Sequence, residues 1–267
     1  MRTKKLPFVY VGLMTALTYV PILLTVIYSF NESRISSVWG GFSLKWYGEL
    51  LRDRDLREAL VNSLVLALLS CLAAAVIGTM GALGMHRKRS RLNEAVAMVS
   101  MLPIMIPEII LGMVFLSVFS LMNLPFGMLT LVIAHTAFCI PYVCSMVNTR
   151  LAGMDKSLEE AAMDLGASPF RVFWDVTFPA ILPGILSGVM LSFAMSFDDV
   201  VISIFVTGSR VNTLPVKIYT KLKTGVTPEI NALAAVLLAV TVLLLAGAAL
   251  VGRQKRPKDL PPGENTN

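Results

Sequence analysis

ALVNSLVLALLSCLAAAVIGTMGALGM, residues 59–85, carries no charged side chain, and its reading decides the fold. A helix rising ~1.5 Å per residue needs about 20 apolar residues to cross a hydrocarbon core of ~30 Å. In lipid every backbone amide must be paired within the protein, so a run of this length becomes a helix. Outward from it, further uncharged runs occupy 6–31, 109–134, 176–197 and 230–252. The whole chain of 267 residues is 55% hydrophobic and 15% charged. A soluble domain carries about 25% charge. The reading is all-α: a polytopic membrane protein with six transmembrane helices, at roughly 7–30, 59–85, 95–121, 128–149, 180–206 and 230–252, and no separate soluble domain. Leu124-Pro125-Phe126-Gly127 is the turn between the third and fourth.

An even number of spans puts both termini on one side, and lysine plus arginine decides which. The terminal side holds 14 of the 23 basic residues, and its shortest linker, His86–Asn93, is strongly basic. Both termini are therefore expected in the cytoplasm of a bacterial inner membrane. Arg2, Lys4 and Lys5 before an apolar run imitate a secretory signal, but the run exceeds the ~7–15 residues of a signal core and no small-residue cleavage site follows. An uncleaved first helix is expected. Cys71, Cys139 and Cys144 lie inside apolar stretches without a Cys-x-x-Cys pair, so neither a disulfide framework nor a metal site is expected. Trp39, Phe42, Trp46 and Tyr47 in the outer loop suggest an interfacial belt, with a short amphipathic helix following.

The inner loop 150–179 is the most informative hydrophilic segment. Ser157-Leu-Glu-Glu160 fits a capping box. Leu158, Ala161, Ala162 and Leu165 then recur at helical spacing as one apolar face, expected to lie on the cytoplasmic surface. Gly166 suits the left-handed residue ending that helix, and Ser168-Pro169 starts a second one. Pro179 and Pro183 mark the entry to the fifth span.

Glu160-Ala161-Ala162, Gly166 and Val176-Thr-Phe-Pro179, in that register between two spans, resemble the EAA loop of ABC importer permeases. The usual Ile and Leu of that ending are replaced by Val176 and Phe178, which keeps it apolar. The resemblance implies that 155–179 is a cytoplasmic coupling-helix hairpin docking on a separate ATPase through Leu158, Glu160, Ala161, Ala162, Leu165, Gly166 and Pro179. Gly41-Phe-Ser-Leu-Lys-Trp-Tyr47, Asn62-Ser63-Leu64, Ser196-Phe-Asp-Asp-Val200 and Asn231-Ala-Leu233 are similar to the spermidine/putrescine importers, most of all to their C-type permease. Some of these motifs also occur in permeases for ferric iron, sulfate and other solutes. The partners implied are a second, different permease, an ATPase dimer and a periplasmic binding protein. The implied organisation is a first helix with its periplasmic loop (1–58), a permease core of five helices (59–252) and a disordered cytoplasmic tail (253–267).

Asp198 and Asp199 interrupt an otherwise apolar span, and Glu108 interrupts another. A charged aspartate at the bilayer centre costs roughly 2.5–3.5 kcal/mol on insertion scales, so a lipid-facing position is disfavoured. Depth counting along straight helices puts Glu108 and Asp198 in the outer half. With Ser196, and with Trp46 and Tyr47 as cation–π contacts, they form a candidate path for a polyamine. Structural pairing of the acids is the alternative. His86 reads as a flank residue, and His135 as an interhelical hydrogen-bonding group. There is no phosphate loop, so ATP should be bound by a partner and no cofactor is expected here. No zincin or nucleophile-elbow motif supports an enzyme. A proton-coupled transporter using the same acids is the rival reading.

Overall fold

In the computed structural model, residues 5–34, 38–87, 91–155, 157–209, 211–225 and 227–253 are described. The tail expected to be disordered lies almost entirely outside them. Among these residues all regular structure is helical, apart from one isolated bridge between Asn31 and Phe42. The helices are α1 (Lys5–Tyr28), α2 (Lys45–Arg52), α3 (Arg54–Arg87), α4 (Arg91–Met105), α5 (Glu108–Leu121), α6 (Met128–Ala152), α7 (Ser157–Asp164), α8 (Pro169–Val172), α9 (Phe178–Asp198), α10 (Val201–Val206), α11 (Leu214–Thr224) and α12 (Pro228–Arg253). A π-helical turn, Phe173–Thr177, joins α8 to α9, so that Pro169–Asp198 runs as one helical rod.

Four helical stretches are long and apolar enough to cross a membrane: Pro7–Tyr28, Arg54–His86, Met128–Ala152 and Pro169–Asp198. A further passage, the third along the chain, is broken. Ala95–Met105 and Glu108–Leu121 meet at 108°, where a straight span was expected. The cause is local: Pro107 has no N–H to continue the ladder and drives Ile106 away from helical backbone. The sixth expected span corresponds to α12, whose described apolar part, Pro228–Leu243, is shorter than the others. The expected continuous fifth span also ends early. α9 stops at Asp198, Asp199 is extended (φ −66°, ψ 125°), and α10 begins at Val201.

The chain forms two compact units, one from its ends (to Asp53 and from Lys221) and one from Arg54–Thr220. In the terminal unit, the fully buried Asn31 organises the loop after α1. Its amide donates to the Val38 carbonyl (2.7 Å), its Oδ1 accepts from Gly40 N (2.8 Å), and its own carbonyl accepts from Trp46 Nε1 (2.7 Å). Lys221 Nζ reaches Asp53 (2.9 Å) and Glu229 (3.0 Å), tying the segments at α2, α11 and α12. Burial works against the Lys221 charge, but the two carboxylates outweigh it and hold its pKa above the ordinary value.

In the central unit, α6 packs between α3 and α9. Leu131, Ala134, Cys139, Val143, Val147 and Leu151 of α6 are buried. Small residues let the backbones approach, as in packed membrane helices. A Cβ added at Gly188 of α9 would sit 2.8 Å from Val143 Cα, and one at Gly78 of α3 would sit 3.0 Å from the Ile140 carbonyl. The two limbs beyond the breaks, α5 and α10, also meet: Phe205 lies over Gly112, where a Cβ would come within 2.5 Å of its ring.

Candidate functional site

The two outward acids share a kind of place. Glu108 is the first residue of α5, directly after the 108° bend, and is exposed. Asp198 is the last residue of α9, directly before the other break, and is also exposed. The 108° bend interrupts the straight-helix counting only at Glu108; the rod that ends in Asp198 is unbroken up to that residue. Helix ends carry opposite partial charges, so the Glu108 carboxylate is favoured at the N-terminus of α5. Asp198 instead adds its charge to the negative end of a 21-residue helix. That combination attracts a cation.

Asp199 and Ser196, expected beside them, are turned inward. Asp199 is 9% exposed, and its carboxylate accepts from Ile202 N (3.2 Å) and Ser203 N (2.8 Å), satisfying the amides that open α10. Ser196 is buried against α6, its Oγ 2.8 Å from His135 Nδ1. The same imidazole places Nε2 3.1 Å from Ser203 Oγ and 3.4 Å from Asp199 Oδ2. His135 thus makes the interhelical bonds expected of it, while Ser203, a single serine in a short apolar run, gives no sign of this role in the sequence.

Trp46 and Tyr47 belong to the terminal unit and are engaged there. Trp46 is only 5% exposed, its indole N–H donating to the Asn31 carbonyl, so its ring is packed within this unit and not open to a ligand. The Tyr47 hydroxyl pairs with Ser29 Oγ at 2.7 Å, and its ring packs on Phe30.

The hairpin 155–179 has the expected two helices and a left-handed Gly166 (φ +85°). Ser168 caps α8 by accepting from Arg171 N. Two expectations are corrected. Asp155, not Ser157, caps α7: its Oδ1 accepts from Ser157 N at 2.9 Å, and this bond lowers the Asp155 pKa. The apolar face also does not lie down on the protein. Leu158 and Ala161 are exposed, Leu165 is 90% exposed, and Ala162 is half-buried. The side chain turned inward is Glu159, whose Oε1 accepts from the buried Thr177 hydroxyl of the π-helical turn. Glu160 and Pro179 are exposed. Phe170 and Trp174 extend the exposed apolar surface, and a cleft of about 420 Å³ lies between Leu83, Gly84, Pro169, Phe170 and Phe173. An amphipathic hairpin that shows its apolar face outward is built to be covered.

The family model for the binding-protein-dependent transport system inner membrane component matches residues 73–256. The chain is 42% identical over 241 residues to the putrescine transport system permease protein PotI of Escherichia coli K12, covering 88% of this chain and 83% of that one. It is 38% identical over 247 residues to the spermidine/putrescine transport system permease protein PotC of the same organism, covering 91% and 94%. Among solved structures, a bacterial ABC transporter involved in the import of the acidic polysaccharide alginate shares the fold, with a TM-score of 0.71 at 13% identity over 96% of this chain and 99% of that one.

Proposed function

The chain belongs to the family of binding-protein-dependent transport system inner membrane components, and from that premise we propose that it is the permease subunit that carries polyamines through an ATP-driven importer. The observation that carries the substrate reading is Asp198, an exposed carboxylate at the negative end of α9 where the span breaks. A polyamine is a flexible polycation, and the relatives named above are permeases for putrescine and spermidine. Glu108 contributes a second carboxylate at the other break, and Asp199 supports the path from behind by capping α10.

The exposed hairpin supports an assembly around this chain. Leu158, Ala161, Leu165 and Glu160 meet a cytoplasmic ATPase dimer that binds the ATP, and this chain holds no cofactor of its own. A second, different permease completes the pathway, and a periplasmic binding protein delivers the substrate. Both termini lie in the cytoplasm, the side favoured by the excess of basic linker residues.

The test is uptake of labelled putrescine and spermidine by proteoliposomes holding the assembled transporter. Asp198→Asn keeps size and removes charge. Uptake should fall five- to 150-fold, roughly the ~1–3 kcal/mol of a direct ionic contact. Assembly and membrane abundance should match wild type. Unchanged uptake of both polyamines would sink the substrate reading and leave the subunit assignment standing.

A further inference from the structure

We infer that His135 is a positioning residue for the acid at the end of α9: its imidazole spans the break between α9 and α10 and holds the last turn of α9 in the rotation that points Asp198 outward. The inference rests on the reading of Asp198 as a substrate-path acid.

The geometry has three parts. First, Ser196 belongs to the last turn of α9 and Ser203 to the first turn of α10, and one ring bonds both, at 2.8 Å through Nδ1 and 3.1 Å through Nε2. An imidazole is rigid, so its two nitrogens hold these hydroxyls at a fixed separation, as a flexible side chain would not. Second, His135 sits on α6, is fully buried, and packs against Phe138 with ring centroids 5.1 Å apart. The ring therefore ties the break to the central helix of its unit. Third, the tautomer follows from the network. Asp199 Oδ2 is 3.4 Å from Nε2 and, when ionised, can only accept. Nε2 therefore carries the hydrogen, and Nδ1 accepts from the Ser196 hydroxyl.

The six residues of α10 are too few to hold a helix unaided. Asp199 supplies its N-terminal cap, and the Thr130 hydroxyl donates to the Val206 carbonyl at its far end (2.8 Å). With Phe205 packed on Gly112 they place α10 against α5; what they leave open is its angle to α9. The imidazole bridge closes it, and because Asp198 lies two residues, about 200° of helix, beyond the inward-held Ser196, it is left facing out.

His135→Phe keeps the aromatic volume and deletes both bonds. The freed serines can turn to their own helix carbonyls, so no polar group is stranded. Two readouts on the assembled transporter in lipid nanodiscs and proteoliposomes test the idea. Hydrogen exchange of the amides at 200–204 should rise about tenfold while α6 exchanges as in wild type. The KM for labelled putrescine should rise about tenfold with the maximal rate within about twofold, because pre-formed geometry is lost rather than folded protein. His135→Gln, which keeps a donor and an acceptor, should recover most of the KM. If His135→Phe does not assemble, Ser203→Ala cuts the α10 arm alone and should shift both readouts in the same direction. Unchanged exchange would overturn the bridge. Raised exchange with wild-type KM, in a preparation where Asp198→Asn does alter uptake, would overturn the positioning role and leave the substrate reading intact. No effect of either His135→Phe or Asp198→Asn on putrescine kinetics would overturn both.

Discussion

Asp198 and Asp199 are chemically identical neighbours with opposite assignments, one exposed and one holding two amides of α10. Nothing in the local sequence could separate them. On a continuous helix they would diverge by about 100°, and which one faces inward depends on where the helix stops. Asp199→Asn should therefore behave unlike Asp198→Asn. Its Oδ1 can keep one of the two amides, but its NH2 would face the other, at a cost of about 1–3 kcal/mol. The expected result is a lower thermal midpoint of the assembled complex with a near-normal putrescine KM in what survives. A wild-type midpoint with an altered KM would reverse the two roles. His135 was legible as a hydrogen-bonding residue because a lone histidine in an apolar span must find partners. Its span across a helix break was not, since the break itself is absent from the periodicity.

At the scale of elements, the hairpin is legible in the sequence in outline but not in orientation. Gly166 and Ser168-Pro169 announce their turn and cap by backbone chemistry that operates locally. Which face of α7 turns inward is decided by Thr177, reached only through a π-helical turn that no sequence pattern signals. Two variants separate shape from contact. Gly166→Val puts a β-branched residue at φ +85°, a strain of about 1–3 kcal/mol, and should lose ATPase association. Glu159→Gln should leave association near wild type but reduce substrate-stimulated ATP turnover, because α7 is then less firmly fixed to the rod it moves. Turnover at the wild-type level would show that the bond to Thr177 plays no part in transmission. The broken third passage teaches the same lesson: Pro107 was visible, but a proline inside a span is compatible with a mild kink as well as with the 108° turn observed.

For the whole molecule, membrane-spanning all-α character was legible because charge-free runs leave the backbone no alternative. Burial inside the bundle was not, because lipid-facing and core-facing residues are equally apolar. α6 and α1 read alike in sequence, yet the apolar window of α6 is 61% buried and that of α1 is 0% buried. Sidedness rests on the basic linkers and is checked by impermeant thiol reagents on intact and opened cells. Cysteine at the open, exposed Gly48 of α2 should react from the periplasm, and cysteine at the exposed Asp164 of α7 only from the cytoplasm. The reverse pattern would invert the orientation. One further consequence follows from the rod Pro169–Asp198 and its close crossing of α6 at Gly188. A stiff beam pressed on a fulcrum is a lever, and here the arms are unequal: about 28 Å from the crossing to Pro169 and about 15 Å to Asp198. Because Ser196 near the outer end is also pinned to α6 through His135, a push at the cytoplasmic end is shared between the two helices, and the short arm passes on only a small part of it.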